Sequence, residues 1–187
     1  MTSQIFIVRH GETEWSANGR HTSRTDLPLT EAGRQRAAML AQELSGQRFS
    51  LILCSPLRRA RETCELAGFG EVAEICADLH EWDYGEYEGL TTPEIWVENP
   101  DWNLWSQGCP GGELPEQIGA RVDLVLKRMG DATGDVLAFA HGHVLRVLTA
   151  RWLQMEPAAG ARFALGAGAI GLLGHERHTQ VLSRWNA

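Results

Sequence analysis

Long apolar runs are missing from this 187-residue chain: its apolar stretches stop at four to eight residues, far short of the roughly 20 that a membrane-spanning helix needs. The opening Met1-Thr2-Ser3-Gln4 has no basic residue of the kind that begins a secretory leader. Cysteine is scarce. Cys54, Cys64, Cys76 and Cys109 form no C-x-x-C pair and no zinc spacing, which excludes a dithiol redox motif and a structural zinc site. Internal repeats, low-complexity tracts and Gly/Ser linkers are absent as well. These absences predict a soluble protein of a reducing compartment, the cytoplasm, folded as one domain over residues 1–187. With 43% hydrophobic and 22% charged residues, the composition excludes general disorder.

Lysine is nearly absent too, Lys127 standing against 16 arginines, and the net charge is −7. That balance argues against nucleic acid or an acidic membrane surface as partner. The cations are unevenly spread, however. Residues 9–61 hold nine arginines against five carboxylates, whereas residues 71–116 hold twelve carboxylates and neither Lys nor Arg. A phosphate site is expected in the first part, with most individual arginines there belonging to solvated helix faces.

Strand signals over 4–8, 49–54 and 135–140 alternate with helix signals over 31–44, 57–67, 115–129 and 144–153, and residues 169–173 and 180–184 supply two more strands. Leu29 and Thr30 offer a staple and cap for the first helix. Ser55 as N-cap and Pro56 at the first helical position start the second, which puts Arg58 in its first turn. Continuous apolar strands separated by helices predict an α/β fold, a three-layer α/β/α sandwich with a mainly parallel central sheet and its site beyond the carboxyl ends of the strands. Residues 81–112, with Trp82, Tyr84, Tyr87, Trp96, Trp102 and Trp105, read as a long irregular flap folded near that site. Each of its tryptophans is either a wall of the site or part of a satellite core.

Two strands end in histidine and glycine, at Arg9-His10-Gly11 and Ala140-His141-Gly142-His143. Glycine there lets the backbone turn sharply and a ligand approach closely. With Arg9 and the helix-start Arg58, two imidazoles and two guanidiniums suit a tetrahedral dianion. Three chemistries compete. Metal hydrolysis would use His10, His141 and His143, but two arginines would repel the cation. A phosphate-binding module without turnover explains the arginines and leaves Glu81 without a purpose. Phosphoryl transfer through a covalent phosphohistidine uses all of these groups.

Four motifs, RHGETEWSANGRHTSRTDLPLTEAG from Arg9, SPLRRARET from Ser55, LHEWDYGEYEG from Leu79 and AHGH from Ala140, resemble the histidine phosphatase superfamily, whose best-known members are the cofactor-dependent phosphoglycerate mutases. The resemblance spans nearly the whole chain and implies a phosphoglycerate mutase-like fold. It further implies that His10 is the nucleophile, that Arg9, Arg58 and His141 hold the phosphate, and that Glu81 is general acid and then base. Arginine suits the phosphate role because its charge is permanent and its fork matches phosphate oxygens. Glu86 and Glu88 are expected on the flap surface.

Ser16 and Ser23 stand where mutases and many phosphatases carry Asn and Gly. The excursion between Glu81 and His141 is also shorter than in the mutases, and a more open site favours hydrolysis over transfer. TEWS at 13–16, TDLPLT at 25–30, EWDYGEYEG at 81–89 and WNLWSQGCPGGE at 102–113 resemble a branch holding mycobacterial acid phosphatase-like proteins and fungal sedoheptulose bisphosphatases. The substrate-binding set implied is Arg9, Gly11, Ser16, Thr22, Ser23, Arg58, Trp82, Tyr84, Gly142 and His143. The expected activity is hydrolysis of small phosphate monoesters, sugar phosphates first, with neither metal nor cofactor. A phosphoglycerate mutase is the alternative enzyme, a phosphate-binding module the non-enzyme. The aromatics of residues 96–105 read either as a homodimer interface or as a flap packed on its own domain.

Overall fold

Large apolar residues alternate along the strands and build a core on each face of one sheet. The computed structural model describes residues 3–187. Met1 and Thr2, half of the opening tetrapeptide, lie outside the described residues. The chain runs β1 (Ile5–Arg9), α1 (Glu14–Ala17), α2 (Glu31–Glu43), β2 (Leu51–Cys54), α3 (Arg58–Leu66) and β3 (Glu74–Ile75). It continues through α4 (Thr92–Glu98), α5 (Leu104–Gln107), α6 (Pro115–Gly130), β4 (Val136–Ala140), α7 (Gly142–Trp152), β5 (Ile170–Glu176) and β6 (Thr179–Arg184). The sheet order is β3-β2-β4-β1-β5-β6. Its β3, β2, β4 and β1 pairings are parallel, and β5 and β6 add antiparallel pairs at one edge.

Ile5 and Ile7 of β1, Leu53 of β2, and Val136 and Ala138 of β4 face one core, where α6 contributes Ile118, Val122, Val125 and Met129, and α7 contributes Val144, Leu145 and Leu148. Val8, Ile52, Cys54, Leu137 and Phe139 face the other, against Leu40 of α2 and Ala60 and Cys64 of α3. This is the period-two alternation of a sheet covered on both sides. Truncating a central residue such as Leu137 to Ala would cost about 2–5 kcal/mol.

Local signals explain most element starts. Thr30 caps α2 as its sequence predicts, accepting from the Gly33 N–H at 3.0 Å. The start of α3 differs: its N-cap is Leu57 without a side-chain cap, and the Ser55 hydroxyl, which accepts from the Leu57 N–H at 3.4 Å, also binds His141. Residues 81–112 are also less irregular than expected. A reciprocal Thr91–Glu94 capping box with Pro93 in the first turn starts α4, and Asn103 caps α5. These helices are too short to leave a readable hydrophobic period. Trp82 and Trp102 join the core, whereas Trp96 is half exposed.

Register sets the chemistry. Arg9 pairs with Ala140, so His10 and His141 leave adjacent parallel strands at the same level, and the His10 N–H donates to the Ala140 carbonyl at 2.9 Å. Cys54 pairs with Phe139, which brings Ser55 alongside. The site therefore lies beyond the carboxyl ends of β1, β2 and β4.

Candidate active site

His10 is buried, and its Nδ1–H donates to the Gly11 carbonyl at 2.6 Å. A carbonyl can only accept, so this bond fixes the tautomer and leaves the Nε2 lone pair unprotonated. Burial, then the charges of Arg59 and Arg9, hold the imidazole well below its usual pKa, partly opposed by the Gly11 bond. Its ring centroid lies 5.1 Å from that of His141. Burial and the nearby guanidiniums thus favour the neutral form of His10, with Nε2 unprotonated.

His141 lies behind it, fully buried. Its Nδ1 accepts from Arg59 Nε at 3.1 Å, so Nε2 carries the proton and donates to Ser55 Oγ at 2.7 Å. Burial first, and Arg59 next, also push this imidazole well down. With both ring nitrogens engaged, His141 is not a free metal ligand, and the three-imidazole set is not assembled.

Arg58 does not reach the site. It is exposed and pairs with Glu62 one helical turn on, at 2.7 Å. Its neighbour Arg59 points inward, 1% exposed, and donates to His141 and to the carbonyls of Thr22, Ser23 and Thr25. The signal was in the helix phase: Arg59, Ala60, Thr63 and Cys64 form the buried stripe of α3, while residue 58 lies about 100° away.

Arg9 lines the cleft with a buried Nε that has no hydrogen-bond partner among the described residues, while its Nη1 donates to the Leu165 carbonyl. An orphaned guanidinium donor in a cleft is a place for an anionic oxygen. Gly142 stands at the wall, where a Cβ would come within 3.4 Å of that Nε and of Cζ. Glu81 lines the same cleft as Arg9. Its carboxylate accepts from the N–H groups of Trp82 at 2.9 Å, His143 at 3.0 Å and Val144 at 2.9 Å, the last two being at the N-terminus of α7.

The cleft has a volume of about 280 Å³ and includes Arg9, His10, Ser16, Thr22, Glu81, Tyr84, Gly142 and His143 among its walls. Gly11, Ser23 and Trp82 are not among them. Gly11 lacks a Cβ because the Gly33 backbone packs against it, rather than to admit a ligand. Ser23 is buried behind Glu81, and Trp82 is a core residue whose indole N–H donates to the Glu113 carbonyl. Glu88, expected on the surface, instead binds the N–H groups of Ser23 and Thr25 and shapes their loop.

Sequence reasoning missed Arg20, His21 and Arg146 on the cleft wall. Arg146 follows His143 by three residues on α7, a spacing that puts both on one face. Its guanidinium lies 4.5 Å over the Trp105 ring. Nothing local marks Arg20 or His21, which sit on a loop. Tyr84 Oη and His143 Nδ1 share a hydrogen bond at 2.5 Å, and burial followed by Arg146 keeps that imidazole well below its ordinary pKa. His21, Thr92 and His143 are shared with an aromatic annex of about 190 Å³ walled by Trp96, Trp102 and Trp105.

The site thus joins a neutral buried imidazole to fixed positive charge and one carboxylate, an arrangement for an anionic ester. Residues 5–187 match the family model of the histidine phosphatase superfamily, branch 1. The chain belongs to the histidine phosphatase superfamily. Within it, the chain is 42% identical over 186 residues to an acid phosphatase of Mycobacterium tuberculosis, covering 96% of this chain and 90% of that one. It is 36% identical over 188 residues to the sedoheptulose 1,7-bisphosphatase of Saccharomyces cerevisiae, covering 83% and 69% respectively. A solved structure of a Mycobacterium tuberculosis open reading frame product superposes with a TM-score of 0.91 at 40% identity, covering 100% of this chain and 98% of that one. This superfamily member therefore has the phosphoglycerate mutase-like α/β fold; these two relatives carry phosphatase names, while others at 27–28% identity are named probable phosphoglycerate mutases.

Proposed function

We propose that this phosphatase hydrolyses small phosphate monoesters, sugar phosphates first among them, through a phosphoenzyme on His10. The observation that carries the reading is the His10 ring, neutral, with Nδ1–H committed to Gly11 and Nε2 free at a cleft that holds an unpartnered Arg9 donor. In the first step Nε2 attacks phosphorus, the ester P–O bond breaks, and Glu81, entering in its acid form with the proton on Oε2, gives that proton to the departing oxygen. In the second, the Glu81 carboxylate takes a proton from water as that water attacks phosphorus. The P–N bond breaks, inorganic phosphate leaves, and His10 returns to its neutral form. Arg9 would bind equatorial oxygens through its Nε. Arg59 and His141 would act from behind, the first as fixed positive charge and the second by sustaining the buried network around His10.

The sugar-phosphate reading rests on the annex, whose indole faces suit the C–H face of a ring while His21, Thr92 and Asn103 offer polar contacts. The branch relatives named acid phosphatase and sedoheptulose 1,7-bisphosphatase support phosphomonoester hydrolysis. One domain over residues 1–187 and a cytoplasmic location belong to the same proposal. The four free, buried cysteines fit a reducing compartment, and among the described residues no helix is long and apolar enough to cross a membrane.

Phosphate release from a panel of sugar mono- and bisphosphates, 3-phosphoglycerate and aryl phosphates, with primed mutase activity assayed alongside, tests the proposal. Release from a sugar phosphate is the expected result. Primer-dependent isomerisation with little release would instead make the protein a mutase, and phosphate binding without turnover would make it a binding module.

A further inference from the structure

One charged pair near the site has no part in the reaction above. Arg121 of α6 forms a two-pronged pair with Glu113, Nε to Oε1 at 2.7 Å and Nη2 to Oε2 at 2.9 Å. The same guanidinium donates from Nη1 to the carbonyls of Asp78 at 2.6 Å and His80 at 2.8 Å, and from Nη2 to that of Glu81 at 3.1 Å. Glu113 grips the following residues. Its Oε2 accepts from the Asp83 N–H at 2.9 Å, its carbonyl from the Trp82 indole at 3.0 Å, and its own N–H donates to the Asp83 carbonyl at 2.9 Å. Residues 80–83 belong to no strand or helix, so no ladder fixes them. The pair supplies what a ladder otherwise would.

We propose that Glu113 and Arg121 are positioning residues for Glu81, holding its backbone so that its carboxyl meets the ester oxygen at proton-transfer distance. This rests on the reading of Glu81 as proton donor. The carboxylate is fixed at its far end by the Trp82, His143 and Val144 N–H groups. With its carbonyl fixed by Arg121 as well, little freedom is left to the side chain between. Proton transfer needs heavy atoms at about 2.6–3.2 Å, and a displacement of about 1 Å can cost about a hundredfold in rate. Neither residue of the pair lines the His10 cleft. They line a separate cleft of about 350 Å³ with Ser23, Arg24, His80 and Asp83, and among the described residues Glu81 alone is common to it and the His10 cleft. The segment 102–113, whose likeness to one branch had no mechanistic reading, gains one through its last residue.

The pair's contribution is read from leaving groups. An alkyl phosphate needs a proton on its departing oxygen, whereas p-nitrophenyl phosphate hardly does. Arg121→Met should lower kcat/KM for alkyl phosphates by about ten- to a hundredfold and for p-nitrophenyl phosphate by no more than about threefold. Glu113→Gln, which can still accept from Asp83, should show a smaller loss of the same pattern. Adding Arg121→Met to Glu81→Gln should cost alkyl phosphates little more than Glu81→Gln alone. Equal losses for both substrate classes in the two single variants, or no loss in either, would overturn the proposal. Should Glu81→Gln itself be indifferent to the leaving group, the reading of Glu81 fails instead, and the pair's role with it.

Discussion

Arg58 and Arg59 are adjacent in sequence and face opposite fates, so replacing each by methionine separates surface charge from site charge. Arg58 makes an exposed ion pair with Glu62, of the i,i+4 kind that contributes about 0.5 kcal/mol or less. Its removal should leave Tm and kcat/KM nearly unchanged. Arg59→Met deprives two buried acceptors, His141 Nδ1 and the Ser23 carbonyl, of their donor; the Thr22 and Thr25 carbonyls are only partly buried and can rehydrate. At about 1–3 kcal/mol for each buried acceptor left unsatisfied, the cost is about 2–6 kcal/mol. The same change removes a positive charge from beside the developing phosphoryl transition state, which should lower kcat/KM by about a hundredfold or more. Because the Arg59 charge helps hold the His10 pKa down, its loss raises that pKa, and the acid limb of kcat/KM should move to higher pH. Thermal denaturation and a kcat/KM–pH profile on one aryl phosphate test all three effects. Equal damage from Arg58→Met, or an unshifted acid limb in Arg59→Met, would refute the reasoning.

Gly11→Ala should destabilise by about 1–3 kcal/mol, seen as a lower Tm, because its Cβ would strike the Gly33 carbonyl; an unchanged Tm would show that the two loops can part. Trp105→Ala should raise KM for sugar phosphates about tenfold while leaving that for acetyl phosphate, which has no ring, nearly unchanged; an equal rise for both would remove the annex from substrate binding. Stability should also fall on acidification. His10, His141 and His143 are held well below 6.5 and His21 is pushed down to about 4, all by burial first. The unfolded chain therefore takes up more protons than the fold once pH drops below about 6.5, and stability is lost from there toward about 4 for His21 and further for the others. A Tm that is flat from pH 7 to 4 would contradict this.

Much of the fold was legible because its strands are short continuous apolar runs ending in polar tripeptides, and a sheet covered on both faces leaves that trace. The histidines at 10 and 141 were legible for the same reason, since parallel register brings strand ends together. The choice between Arg58 and Arg59 depended on the rotation of α3, which its stripe of small residues encodes and the motif position did not reveal. Gly11 and Trp82 illustrate a different limit. Their partners, Gly33 and Glu113, lie 22 and 31 residues away, and no local pattern distinguishes a glycine that admits a ligand from one that admits another backbone. Arg121 was invisible for a related reason: three of its acceptors are carbonyls, which every sequence has, and its carboxylate partner Glu113 lies eight residues away, outside the spacing of a helical ion pair.

The central claim is a phosphoryl group carried on one nitrogen of one residue. The direct measurement is rapid quenching of the enzyme with phosphate ester under alkaline denaturation, followed by digestion and chromatographic separation of the two phosphohistidine isomers. Because Nδ1–H is committed to Gly11, the predicted product is acid-labile Nε2-phosphohistidine at His10, absent from His10→Ala. Full turnover by His10→Ala, or phosphate found on Nδ1 or on another residue, would contradict the account.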